Sequence, residues 1–288
     1  MIKLIASDMD GTLLNAQMQI SPKNIKAINY AQKMGVEFLV ATGRTRNEAL
    51  PLLQKAGLNT GYININGAQV YDRQGNLVIE KPISRDKALA VINILKKSGS
   101  YFEVVSGEHV YSDSRIRRIS NVSDLLVDLN KHLSLKSVVS FAGGSDQVLN
   151  VIFVDSFNQL FEDPNFKVMK FVVFNPAGPQ AFKNIREEIK NLGGLIGTAS
   201  SSTNLEINNE SAQKGIALLD YGKAKNISPN EIMAIGDNFN DESMIKMAGI
   251  GVAMENAVPE IKNLASFITK NNNDSGVAHA IYSFIKSE

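Results

Sequence analysis

Asp8-Met9-Asp10-Gly11-Thr12, one residue after the largely apolar run Ile2 to Ala6, constrains this chain more than any other segment. An apolar run of that length reads as a buried strand whose far end carries two carboxylates one residue apart. Buried like charges raise one another's pKa, and desolvation penalises both. Such a pair points to a metal site, a nucleophile beside an acid/base, or both. Gly11 frees the backbone to turn, and the N–H groups of that turn can face an anion. Taken alone, Asp8 and Asp10 also read as turn residues that cap backbone N–H groups.

Strand and helix signals alternate from residue 1 to about 82. Ser21-Pro22 supplies an N-cap and a first-turn proline for a helix carrying Ile25, Ile28 and Ala31, stopped by Gly35. A second apolar strand, Val36 to Ala41, ends in Thr42-Gly43-Arg44, and a helix and a short strand Tyr62 to Ile65 follow. Asn66-Gly67 marks a turn into a hairpin of Ala68 to Tyr71 with Leu77 to Glu80. From about 83 to 210 the texture changes, with hairpin-forming strands such as Tyr101 to Val105 and His109 to Ser112. Val168 to Phe174 and Asn204 to Ile207 add strands, and Gly143-Gly144 and Asn175-Pro176 mark turns. The alternating pattern returns with a helix from Lys214 to about Ala224 and a strand Ile232 to Ile235 ending in Gly236-Asp237. Strands Ile250 to Met254 and Phe267 to Thr269 and a helix after Ser275 complete it, with Asn271 to Asp274 as a polar surface loop. The expected fold is α/β: a Rossmann-like, doubly wound parallel sheet formed by residues 1–82 and 211–288, interrupted by an α+β domain over 83–210. Pro82 and Ser211 mark the two crossings.

Composition narrows the chemistry. Lys plus Arg number 30 and Asp plus Glu 29, so no basic excess recommends nucleic acid or an anionic membrane as partner. The chain has no cysteine, which excludes disulfides, thiolate catalysis and Cys-ligated zinc and fits a reducing compartment. The N-terminus enters the first strand without the apolar region of a signal peptide, and no stretch approaches the roughly 20 apolar residues of a membrane span. A cytoplasmic protein is expected. His109, His132 and His279 show no metal-ligand spacing and read as structural or surface residues.

Three buried-looking strands thus end in polar residues: Asp8 with Asp10, Thr42, and Asp237. In open parallel sheets, ligands bind beyond the carboxyl ends of the strands where the strand order reverses. If these strands are neighbours, a carboxylate cluster, a hydroxyl and a basic group from Lys214 or Arg44 share one crevice. Carboxylates, a hard divalent cation and basic groups are the inventory of phosphoryl transfer.

At this point the chain resembles a haloacid dehalogenase superfamily phosphatase, of the Cof-type group (subfamily IIB) with a large C2B-type α/β cap. Asp8-Met9-Asp10-Gly11-Thr12-Leu13-Leu14 matches the first motif and Ala41-Thr42-Gly43-Arg44 the second. Lys214-Gly215 matches the third, and Gly236-Asp237-Asn238-Phe239-Asn240-Asp241 the fourth. The resemblance implies that Asp8 attacks phosphorus to form an aspartyl-phosphate, and that Asp10 protonates the leaving oxygen and then activates water. It implies Mg²⁺ on the side chains of Asp8 and Asp237 and the carbonyl of Asp10. Thr42, the Gly43 N–H, Lys214 and Asn240 would hold the other phosphate oxygens. Met9, where relatives often carry leucine, would contribute through its backbone. Arg44 would support the cap or touch substrate, and Asp241 would orient metal-bound water or Lys214. Residues 83–210 would be the cap that selects substrate. The activity expected is hydrolysis of small phosphate monoesters, sugar phosphates or related metabolites.

Alternatives stay open at this stage. A phosphomutase of the same superfamily would share these motifs, and a regulatory protein would use Asp8 as a phospho-acceptor switch. Lys214 alone reads as a solvated helix lysine, and Gly236 to Asp241 as a helix N-cap. Arg115, Arg117 and Arg118 read either as a solvated helix face or as a contact for the non-reacting end of a substrate.

Overall fold

The computed structural model describes residues 1–129, 150–199, 201 and 203–285. Gly143-Gly144 and His132 lie outside the described residues. The chain divides into two compact units, Met1–Lys81 with Asn209–Glu288, and Pro82–Asn208.

In the first unit the apolar runs form strands β1 (Leu4–Asp8), β2 (Glu37–Ala41) and β3 (Gly61–Asn64), followed by β4 (Gln69–Tyr71) and β5 (Leu77–Glu80). After the second unit come β12 (Ile232–Gly236), β13 (Ile250–Ala253) and β14 (Phe267–Ile268). Among the described residues these eight form one sheet in the order β14-β13-β12-β1-β2-β3-β4-β5. Pairing is parallel from β14 through to β3 and antiparallel across β3–β4 and β4–β5. The chain runs outward from β1 through β2 and β3, and later outward the other way from β12 through β13. The order therefore reverses between β12 and β1, where a doubly wound sheet opens its binding crevice.

Leu4, Ile5, Ala6 and Ile232 to Ile235 are wholly buried, which is why these strands read as unbroken apolar runs and not as alternating ones. Helix α1 (Pro22–Lys33) starts where the sequence places it: the Ser21 side chain accepts from the Asn24 N–H at 3.1 Å, and Ala27, Ile28 and Ala31 face the core.

The second unit holds β6 (Tyr101–Ser106), β7 (His109–Ser112), β8 (Val151–Phe153), β9 (Lys170–Phe174), β10 (Leu195–Thr198) and β11 (Asn204–Asn209). Their order is β10-β11-β9-β6-β7-β8. One face of this sheet is apolar: Phe102, Val104, Phe171, Val173, Leu205 and Ile207 share a core with helices α3 (Arg85–Ser98) and α5 (Lys183–Leu192). Several alternate positions are polar yet buried, with Lys170 bonded to Glu206 at 3.2 Å and Arg118, on helix α4 (Arg115–Leu129), bonded to Glu103 at 2.9 Å. Val168, expected in the strand, instead makes an isolated bridge with Ile83, and β9 begins at Lys170. The arginine group is not a uniformly solvated face either. Arg115 stacks over Phe153 at 4.5 Å, Arg117 reaches the Gly99 carbonyl at 3.4 Å, and Arg118 neutralises buried Glu103.

Candidate active site

Register brings the polar strand ends together. Asp8 pairs with Ala41 across β1–β2, and Ser7 pairs with Ile235 across β1–β12. Asp8, Thr42 and Asp237 therefore emerge side by side at the carboxyl end of the sheet. Lys214 is the first residue of helix α6 (Lys214–Ala224) and is wholly buried. Its Nζ donates to Asp8 Oδ1 and to Asp241 Oδ1, both at 2.6 Å. Asp241 Oδ2 accepts the N–H groups of Asp237 at 2.9 Å and Asn238 at 3.1 Å. Both Asp241 oxygens are thus committed to holding the lysine and the β12 turn. Thr12 Oγ1 donates to Asp237 Oδ1 at 2.7 Å.

Oxygens of Asp8, Asp237 and Asp241 lie within 4.8 Å of one another. Burial, reinforced by Asp241, pushes the Asp8 carboxyl well above its ordinary range, against the opposing pull of Lys214. Burial and Asp241 push Asp237 up to about 6. For Lys214 burial works toward neutrality, but Asp241 and Asp8 outweigh it and hold the ammonium above its ordinary value. Three carboxylates face one ammonium, so the cluster carries uncompensated negative charge on hard oxygen donors. That donor set fits Mg²⁺. Gly11 keeps the approach open: with φ +77°, a Cβ there would lie 2.5 Å from Asp237 Oδ2.

The Asp10 side chain stands apart from this cluster. It is exposed and gripped by Arg44, whose Nε reaches Oδ2 at 2.8 Å and whose Nη2 reaches Oδ1 at 2.7 Å. Thr42 is buried, and its Oγ1 accepts the Arg44 N–H at 3.1 Å; Gly43 lies half-buried between the two. Met9 is wholly buried, and its carbonyl accepts the Leu14 N–H at 2.9 Å, closing the loop. Asn240 is half-buried, with its Nδ2 3.5 Å from Asn66 Oδ1.

The motifs alone assign Thr12 no role, Asn66 has only the signal of a turn residue, and Asn271 to Asp274 has the composition of a surface loop. The structure gives that loop structural contacts: Asn272 Nδ2 donates to the Leu14 carbonyl at 2.9 Å, and Asn273 Oδ1 accepts the Ala16 N–H at 2.9 Å. The Asn272 N–H also holds Asn256 Oδ1 at 3.0 Å, and Asn256 Nδ2 holds the Gly11 carbonyl at 2.8 Å. Polar side chains are used here because the loop after β1 leaves backbone groups that no strand pairs. His109 is exposed beside Tyr111, and His279 stacks on Phe267 and bonds Thr269, so neither joins the site.

Residues 5–281 match the family model of the haloacid dehalogenase-like hydrolases. The chain belongs to that family. This haloacid dehalogenase-like hydrolase is a phosphoric monoester hydrolase. It is 32% identical over 286 residues to Phosphatase YwpJ of Bacillus subtilis, covering 96% of this chain and 98% of that one. It is 30% identical over 282 residues to the B. subtilis 5-amino-6-(5-phospho-D-ribitylamino)uracil phosphatase YwtE, covering 97% of each. A solved haloacid dehalogenase-like hydrolase from B. subtilis superposes with a TM-score of 0.86 at 32% identity, covering 99% of this chain and all of that one. Among the described residues of the hydrolase, no helix is long and apolar enough to cross a membrane.

Proposed function

We propose that this hydrolase cleaves small phosphate monoesters, sugar phosphates or related metabolites, with Asp8 as nucleophile and Mg²⁺ as cofactor. The observation that carries the reading is the buried Asp8–Lys214–Asp241 relay, in which two carboxylates share one ammonium while the Asp237 carboxylate lies against them. The side chains of Asp8 and Asp237 and the Asp10 carbonyl would hold the metal. Bound there, Mg²⁺ offsets the repulsion between a phosphate dianion and a carboxylate nucleophile.

The chain's own groups do the rest. Asp8 attacks phosphorus through a carboxylate oxygen, the ester oxygen leaves, and Asp10 delivers its proton. Asp10 then takes a proton from the water that cleaves the aspartyl-phosphate. Lys214, aimed by Asp241, meets the negative charge of the transferring group. Thr42 Oγ1, the Gly43 N–H and Asn240 hold its other oxygens. Arg44 fixes Asp10 by two parallel bonds, a geometry that sets direction as well as attraction. The inserted unit is our candidate for a Cof-type, C2B cap that selects substrate. The name of the YwtE relative fits a small phosphorylated metabolite. A chain without cysteine acting on such a compound fits the cytoplasm.

The test is phosphate release from a panel of sugar phosphates and an aryl phosphate, with Mg²⁺ and with EDTA. Release that EDTA abolishes supports the reading; metal-independent release, or a positional isomer in place of free phosphate, contradicts it. A second expectation concerns pH. In the metal-free protein, Asp237 held at about 6 makes its charged form unfavourable, so folding stability falls as pH rises through that value and recovers below it. Mg²⁺ requires the ionised carboxylate and relieves the penalty. The rise in Tm on adding Mg²⁺ should therefore be largest above pH 7 and fade as pH falls through about 6. A rise that grows toward acid would contradict the assignment of Asp237 as a ligand.

A further inference from the structure

The turn between β3 and β4 is more contorted than a hairpin of its length requires. Ile65 sits at φ 52°, Asn66 at φ 57° and Gly67 at φ 103°, three successive left-handed residues in a buried position. Asn tolerates this region because its short polar side chain suits it, whereas a β-branched Ile there is an outlier. Strain of this kind persists only where the surroundings hold it, and it gathers at functional sites.

The contacts made by this turn show what the conformation achieves. The Ile65 N–H donates to the Arg44 carbonyl at 3.1 Å and the Asn66 N–H to the Thr42 carbonyl at 3.0 Å. Asn64 Nδ2 adds a bond to the Arg44 carbonyl at 3.2 Å. Gly67 packs so closely on the residue before Lys214 that a Cβ would lie 2.6 Å from the Gln213 carbonyl oxygen. Asn66 Oδ1 faces Asn240 Nδ2 at 3.5 Å, longer than the ~2.9 Å of a well-formed bond, as catalytic contacts often are before substrate arrives. One buried turn thus touches the loop after β2, the start of the Lys214 helix and the amide on the turn after β12.

We propose that Asn66 is a positioning residue of the phosphate-binding cradle. Its N–H sets the Thr42 loop, and its side-chain carbonyl orients the Asn240 amide toward the phosphate. The inference rests on the phosphatase reading above. It adds a residue that the four motifs do not contain.

Asn66→Gly tests it cleanly, because glycine takes the left-handed backbone freely and only the side chain is lost. Competitive inhibition by inorganic phosphate is the probe, with kcat, KM and Tm measured alongside. The expected result is an inhibition constant and a KM raised about tenfold, with Tm shifted by no more than a few degrees. Asn66→Ala adds backbone strain and should lower Tm further while weakening phosphate no more than the glycine variant. Combined with Asn240→Ala, Asn66→Gly should cost nothing beyond Asn240→Ala alone, since the two side chains act as one unit. An unchanged inhibition constant in Asn66→Gly, losses that multiply in the double variant, or phosphate binding that follows Tm across the two Asn66 variants would overturn the proposal. Full phosphate affinity in Asn240→Ala would remove the cradle reading itself, and this inference with it.

Discussion

Asp8→Asn is expected to lower turnover at least ~10⁴-fold, because an amide oxygen cannot replace the carboxylate as attacking group and the two-step route closes. The same substitution should leave Tm at pH 7.5 unchanged or raise it. Burial and Asp241 already hold the Asp8 carboxyl far above its ordinary range, so its charged form is disfavoured in the folded protein. A neutral side chain of the same shape removes that repulsion and still offers Lys214 an acceptor. Lost activity with undiminished stability separates a nucleophile from a structural carboxylate. Turnover above that of a mock preparation would exclude Asp8 as nucleophile, and a large fall in Tm would show that its charge supports the fold.

Lys214→Met should have the opposite signature, losing both activity and stability. The methionine fills nearly the same volume but leaves Asp8 and Asp241 buried without their shared cation. Removing one partner of a buried ion pair typically costs about 3–5 kcal/mol, far more than an exposed pair would. The sign with pH follows from Asp8: as pH falls its raised carboxyl takes a proton, the unpaired charge disappears, and the stability deficit shrinks. Mg²⁺ should recover part of the deficit near neutrality. Catalysis should fall by about 10²–10³-fold through loss of one fixed positive group at the transferring phosphate. Thermal unfolding across pH with and without Mg²⁺ checks the first part. A variant as stable as the wild type at pH 7.5 would contradict it.

How much of this was legible in the sequence depends on the kind of signal. β1, β2 and β12 show as largely apolar runs followed by Asp8, Thr42 and Asp237, because central parallel strands are buried on both faces. Those three ends imply one crevice only if the strands are neighbours, and the order β12-β1-β2 makes them so. The inserted unit was visible in its hairpin-forming runs, Tyr101 to Val105 and His109 to Ser112, which are rich in aromatic and β-branched residues. Its buried polar positions were not visible, because Glu103 and Glu206 occupy places an alternating pattern assigns to solvent.

Side-chain bonds across long separations left no periodic trace at all. Thr12 and Asp237 are 225 residues apart, and Arg44 meets Asp10 across 34. The Asn-rich segment 271–274 looked like an exposed loop because its composition is that of one. Its role as a clamp on Leu14 and Ala16 depends on where the last turns of the fold bring it. Asn66-Gly67 carries a turn signal in the sequence, but the left-handed run that aims Asn66 at Thr42 and Asn240 appears only in the backbone.

In the proposed mechanism a phosphoryl group rests on Asp8 between two displacements. Asp10→Asn exposes that intermediate most directly, since an amide cannot activate the water that removes it, whereas an aryl phosphate with a good leaving group still loads it. Mixing this variant with an aryl phosphate and Mg²⁺, quenching in acid and mapping peptides by mass spectrometry should place one phosphoryl group on the peptide holding Asp8. It should be absent from the Asp8→Asn protein treated in the same way. A variant that still releases the aryl alcohol while no phosphoryl group is found on Asp8 would contradict the account.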